Sequence, residues 1–277
     1  MRRRRFPRIN TLISADLRAS TRYEVGVIAL LCALAGFNGN AWAFSFSVEP
    51  SRIELEVPAG KQRGKTVRVD NSKSDQPLHI KIYAQDVIFL PDGTSEFPAS
   101  GSTSWSCTQW VTVVPQEVDI PAGKIREVRV SVTAPEEAKG GYYAMVFFES
   151  SPSYLEKGVG INFRIGAFTQ VTIPNTQVYQ AKLADLSMGA QRGLQLALFN
   201  EGNVLIRPKG RVKVLNARRE KVAHVEFNPQ RLGVLPKTAR MFHTTMGNLA
   251  AGDYHLRAEI DYGSRYLLVG ELDVHLE

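Results

Sequence analysis

From residue 44 onward, hydrophobicity alternates with a period of two almost everywhere, and this excludes most folds. Ile53-Glu54-Leu55-Glu56-Val57 alternates, as do Thr66-Val67-Arg68-Val69-Asp70 and His79-Ile80-Lys81-Ile82-Tyr83. Glu127 to Val132 does the same. Successive side chains of a strand point to opposite faces, so each run reads as a half-buried strand. No stretch sustains a helical period. Turn signals separate the runs: Pro58-Ala59-Gly60, Pro91-Asp92-Gly93, Pro121-Ala122-Gly123 and Gly140-Gly141. Proline presets φ for a turn, and glycine permits positive φ. The pattern predicts an all-β chain of sandwiches or barrels.

The pattern also recurs. Val67-Arg68-Val69-Asp70-Asn71 is followed by a polar loop, then Pro77 and a strand from Leu78. Leu196-Ala197-Leu198-Phe199-Asn200 is followed by Glu201-Gly202-Asn203 and a strand from Arg211. Gly141-Tyr142-Tyr143 opens the apolar strand Ala144 to Phe148, and Gly252-Asp253-Tyr254 opens another from His255 to Ile260. An immunoglobulin-like domain of about 100 residues plus a joint accounts for that interval. A tyrosine after such a glycine either ties its hydroxyl to nearby backbone or is a plain buried aromatic. The expected order is residues 1–43, a first immunoglobulin-like domain 44–174, and a second β-sandwich 175–277. The boundary falls at Pro174-Asn175-Thr176, between a long strand from Val159 to Ile173 and a fresh one from Gln177 to Leu186.

The first 43 residues read as an export signal. Seven arginines and two acids lie there, which accounts for most of the formal net charge of +7. Val25 to Phe37 is uncharged, the length of a signal-peptide core rather than a membrane span of about 20 residues. Ala41-Trp42-Ala43 predicts cleavage after Ala43, leaving a protein in the periplasm with no stable membrane anchor. That form keeps one cysteine, Cys107, expected as a small buried hydrophobe between Trp105 and Trp110. The near-neutral remainder gives no case for nucleic acid, which usually requires a basic face.

Catalytic chemistry is not visible. The five histidines show no metal-ligand spacing, and His79 and His255 fall on the polar faces of strands. Asp86 and Asp92-Gly93 bracket a hairpin without the ligand count of a calcium loop. No phosphate loop, nucleophile elbow or nucleotide fingerprint occurs. The expectation is a binding or assembly protein, not an enzyme, with no metal and no cofactor.

The segment from Phe46 to Pro174 resembles the N-terminal domain of PapD-like periplasmic pilus chaperones. Ser51-Arg52-Ile53-Glu54-Leu55 is similar to the first strand with its arginine, and Val67 to Asn71 to the second. Val113-Val114-Pro115 and Ile120-Pro121-Ala122-Gly123-Lys124 resemble the family's proline–glycine progression. Tyr142 to Glu149 looks like strand F, and Phe163 to Pro174 like strand G. A second group, the two-domain WxL-interacting surface proteins, is similar in Ile82 to Asp86, the Asp92-Gly93 hairpin and Gly140-Gly141-Tyr142.

The chaperone resemblance implies β-strand addition to pilin-like or surface-protein subunits, with strand G lending alternate apolar side chains. Val159, Ile161, Phe163 and Ile165 would form that row, continued by Ala167. The same alternation also fits any core-facing sandwich strand. The resemblance further implies a basic pair holding a subunit's terminal carboxylate. Arg52 matches the first-strand arginine, and Arg164 stands where the family has a strand-G lysine. The polar, glycine-containing stretch from Ser150 to Asn162 suits a flexible loop between strands F and G. The second resemblance implies a cell-surface adhesion component with peptidoglycan as partner.

Overall fold

The computed structural model describes residues 46–151, 162–189 and 193–277. The predicted export signal, its cleavage site, Val159 and Ile161 lie outside these residues, as does most of the predicted F–G loop.

Among the described residues eleven strands precede residue 174: β1 (Ser47–Glu49), β2 (Arg52–Glu56), β3 (Gln62–Asp70), β4 (Leu78–Gln85), β5 (Ile88–Phe89), β6 (Ser95–Glu96), β7 (Val111–Val114), β8 (Glu117–Ile120), β9 (Ile125–Thr133), β10 (Gly140–Ser150) and β11 (Arg164–Ile173). One sheet has the order β1-β3-β9-β7, and the facing sheet β2-β11-β10-β4-β8. The inward residues predicted by alternation meet between them. Ile53, Val67, Val69, Ile80, Ile82, Val128, Val130, Val146 and Phe148 are all buried in one cluster. A 3₁₀ turn at Thr108–Trp110 is the only helical piece among the described residues.

Seven further strands follow: β12 (Ala181–Met188), β13 (Gly193–Asn200), β14 (Lys209–Asn216), β15 (Lys221–Phe227), β16 (Ala239–Thr245), β17 (Gly252–Asp261) and β18 (Leu268–Leu276). The sheet β12-β13-β16 faces β15-β14-β17-β18 over a second core containing Leu196, Leu198, Val212, Val214, Leu256 and Ile260. The chain is thus two immunoglobulin-like β-sandwiches in tandem.

The expected strand from Gln177 to Leu186 starts later, at Ala181. The backbone before it is committed elsewhere. Val178 N–H donates to Asn203 Oδ1 at 2.7 Å, and the N–H groups of Glu201 and Gly202 donate to Gln180 O at 2.9 Å. These bonds wire the connecting segment to the β13–β14 turn, leaving no ladder partner.

The repeat ending in asparagine has a structural cause. Asn71 and Asn200 are both fully buried. Asn71 Nδ2 donates to Gln76 O at 2.8 Å and Ile120 O at 3.2 Å. Asn200 Nδ2 donates to Val204 O at 2.8 Å and Val234 O at 2.9 Å. Each amide caps the loop after its strand by satisfying carbonyls that burial would otherwise strand. The tyrosines divide. Tyr254 Oη donates to Ala250 O at 3.0 Å and the Tyr142 hydroxyl accepts from Lys139 N–H at 3.4 Å, both local backbone ties, whereas the Tyr143 hydroxyl accepts from Leu205 N–H of the second sandwich.

Strand β10 is apolar without alternation because both its faces are covered. Ala144, Val146 and Phe148 face the sandwich core. Tyr143 and Met145 point the other way, into a cluster with Val87, Phe89, Phe97, Trp105, Phe168 and, from the second sandwich, Leu205 and Leu235. This cluster is the core of the joint.

Candidate functional site

Strand β11 holds several of the candidate residues. Its antiparallel ladder with β10 runs from Glu149↔Arg164 to Gly140↔Ile173. On its other side β2 pairs in parallel, but only from Phe168↔Arg52 to Thr172↔Glu56. Among the described residues, Arg164 to Ala167 therefore have a strand neighbour on one side only. The hydrogen-bond direction is fixed by known bonds. Phe168 N–H donates to Ser51 O at 3.0 Å, and Thr172 O accepts from Val57 N–H at 3.0 Å. Backbone direction alternates along a strand, so the N–H and C=O groups of Arg164 and Gly166 point to the open edge. Such an edge is a template for another strand.

Phe163 is 39% exposed at the start of this edge, and its N–H donates to Ser150 Oγ at 3.0 Å. Ile165 is half-buried against the first core, and Ala167 is fully buried in it. The row therefore passes from exposed to core within five residues. Gly166 is explained by close approach on the opposite face. A Cβ there would lie 2.7 Å from Met145 Sδ and 3.1 Å from Phe147 Cε1.

Arg164 sits on that opposite face, its guanidinium 4.2 Å from the centre of the Phe147 ring and 5.9 Å from that of Phe97. Beside it the Tyr83 hydroxyl donates to Glu149 Oε2. Burial and the Glu149 carboxylate push the Tyr83 phenol up, against the opposing influence of Arg164.

Arg52 and Arg164 share the outer face of their sheet but are not brought together. Arg52 stands opposite Phe168, four residues along β11 from Arg164, which is about 13 Å at strand rise. The basic residue that does approach Arg52 is Arg207, before β14. Arg52 Nη1 lies 3.8 Å from Glu54 Oε1, and Arg207 Nη2 lies 3.6 Å from the same oxygen. Arg207 Nη2 also donates to Gln170 Oε1 at 3.1 Å. Burial, then the nearby positive charge of Arg52, lowers the affinity of Arg207 for its proton. Sequence reading missed Arg207, because its place depends on how the second sandwich meets β2 and β11.

Asp86 anchors the excursion that covers β10. It is fully buried and accepts from Thr103 N–H at 2.7 Å, Gly101 N–H at 3.2 Å, Ser106 Oγ at 2.5 Å and Thr103 Oγ1 at 3.0 Å. Burial alone would raise its pKa, but these bonds outweigh it and hold the carboxyl below its ordinary value. Cys107 is also fully buried, and desolvation followed by the charge of Asp86 pushes its thiol pKa far up. Among the described residues no group of three or more His, Cys, Asp or Glu is arranged to hold a metal ion.

Comparison with solved structures assigns the fold: that of the two-domain periplasmic fimbrial chaperones. A chain of a chaperone–tip adhesin complex of CFA/I fimbriae is 21% identical with a TM-score of 0.50, covering 82% of this chain and 98% of that one. The class 5 fimbriae chaperone CfaA is 20% identical with the same TM-score and the same coverage. No protein-family model and no curated protein matches the sequence.

Proposed function

We propose that this protein is a periplasmic chaperone that binds fimbrial subunits by β-strand addition, without catalysis. The observation that carries the reading is the half-open edge of β11. Arg164 and Gly166 offer main-chain donors and acceptors to an incoming strand. The exposed Phe163 supplies an apolar side chain at that edge, and the sequence continues the alternation at Val159 and Ile161, outside the described residues. Main-chain bonds then give affinity, and the side-chain row gives selectivity. Ile165, half-buried against the core, marks where the donated segment ends. Arg52, exposed beside the end of this edge, is proposed to hold the subunit's terminal carboxylate.

Arg164 has a different role in this reading. Stacked on Phe147 and opposite Glu149, it braces the open strand from behind. The fold likeness to a chaperone solved with a tip adhesin supports the reading.

The test is co-expression in the periplasm with a fimbrial subunit and purification of the pair. A stable one-to-one complex, lost on Phe163→Asp while the variant stays folded, is expected. Failure to retain any subunit, together with binding to purified cell-wall sacculi, would overturn the proposal in favour of a surface adhesion role.

A further inference from the structure

The two sandwiches touch at two places that lie apart. The first is the crossing of the chain, where Gly141 N–H donates to Asn203 O at 2.8 Å and the Tyr143 hydroxyl accepts from Leu205 N–H. The second is the tip of the β5–β6 hairpin, which reaches over from the first sandwich. There Met241 N–H donates to Pro91 O at 2.8 Å. Strand β16 has a strand neighbour, β13, on one side only, so the hairpin tip caps its free edge. Met241 stands opposite Ala197, three residues along β13 from Asn200, which is about 10 Å at strand rise.

The hairpin is fixed at both ends. At the tip, Leu90 N–H donates to Thr94 O and Gly93 N–H to Leu90 O, both at 2.9 Å, closing the turn. Gly93 has a φ of 94°, and a Cβ there would lie 2.8 Å from Arg240 Nη2. Arg240 is itself held: it is 9% exposed, its Nη1 donates to Gly233 O at 3.1 Å, and its guanidinium lies 6.0 Å from the centre of the Phe89 ring. At the base, Asp86 N–H donates to Pro98 O at 3.2 Å and Trp105 Nε1 to Val87 O at 3.3 Å. A lone two-stranded hairpin is marginal in water, so these ties are what order it.

We infer that the β5–β6 hairpin is a strap of the first sandwich that fixes its angle to the second, with Arg240 and the free edge of β16 as its receptor. A single attachment leaves two domains free to turn about it, and such motion is the default unless the interface is extensive. A second attachment displaced from the first removes that rotation. The same hairpin backs β11 and its neighbour, since Phe89 packs on Phe168 at 5.8 Å and Phe97 on Phe147 at 5.0 Å. The strap thus presents the open half of β11 at a set angle to the second sandwich, whatever that edge binds.

The test measures the distance between spin labels on Ser72→Cys and Arg218→Cys, exposed positions one in each sandwich, by double electron–electron resonance on the full exported chain. Cys107 is fully buried and takes no label. The parent should give one narrow distance distribution. Arg240→Ala removes the receptor, and Gly93→Val fills the space of the guanidinium; each should lose the narrow distribution and give a broad one. Val214→Ala, which opens a cavity in the second core, should lower Tm and keep the distribution narrow. Thermal unfolding checks the fold of each variant. Gly93 lies in a turn beside the exposed Pro91 and Asp92, so its variant carries the test if Arg240→Ala unfolds. A parent distribution that is already broad overturns the inference, as does a narrow one kept in either folded strap variant. Broadening in Val214→Ala as well would trace the effect to general destabilisation and also overturn it.

Discussion

Replacing Tyr143 with phenylalanine isolates one buried hydrogen bond among those that join the two sandwiches. Tyr143 is 1% exposed, its ring stacks on Phe168 at 5.9 Å, and its hydroxyl accepts from Leu205 N–H. Phenylalanine keeps the ring, so no cavity opens and the stacking survives. What is lost is the acceptor for a backbone N–H at a residue only 7% exposed. An orphaned buried donor costs about 1–3 kcal/mol. For a chain of this size each kcal/mol moves Tm by roughly 2–4 °C, so Tyr143→Phe should lower Tm by about 2–12 °C. Tyr143→Ala adds the loss of the aromatic body and should cost about 3–5 kcal/mol. Differential scanning calorimetry of the exported chain reads both. A Tyr143→Phe protein within about 1 °C of the parent would show that the joint does not depend on this bond.

Other outcomes follow from the same geometry. Asp86→Ala should cost at least about 3 kcal/mol, since several donors lose a charged acceptor at once. Because the folded-state pKa of Asp86 lies below its unfolded value, its contribution is full above the ordinary carboxylate pKa of about 3.9 and is lost as pH falls through the folded value. Melting curves should therefore show the parent losing stability faster than Asp86→Asn on acidification below that range, and parallel pH profiles would contradict this. Cys107 should stay unreactive toward a thiol reagent in the native protein and react fully once denatured; rapid native labelling would contradict its burial. Phe163→Asp should change stability by less than about 1 kcal/mol, whereas Ile165→Asp, whose side chain meets the first core, should cost more than about 2 kcal/mol. Equal melting temperatures for the two would refute the exposed-to-buried gradient along the row.

Much of the fold was legible because period-two alternation is a local consequence of half-burial. It located β2, β3, β4 and β9 within a few residues. The asparagine repeat was visible too, since Asn71 and Asn200 each end a strand whose following loop needs a donor. In the sequence Asp86 stands only as the flank of a hairpin. Its partners are the hydroxyl-rich residues 100–108, a composition that signalled a loop but not its centre. The candidate site was half legible. The alternation of Phe163, Ile165 and Ala167 can be seen in the sequence, but whether such a row meets a core or an open edge is decided by where β2 stops pairing. Arg52 and Arg164 could be picked out as strand arginines. That they stand four residues apart in register, with Arg207 filling the space beside Arg52, follows from tertiary pairing that no local pattern encodes.

Hydrogen exchange along β11, with and without a co-purified fimbrial subunit, tests strand addition most directly. The N–H groups of Arg164 and Gly166 face the open edge, whereas those of Ile165 and Ala167 face β10. Subunit binding should slow exchange at Arg164 and Gly166 by about 10-fold or more and change Phe168, already bonded to Ser51, far less. Unchanged exchange at Arg164 and Gly166 in a stable complex would place the subunit elsewhere and contradict the account.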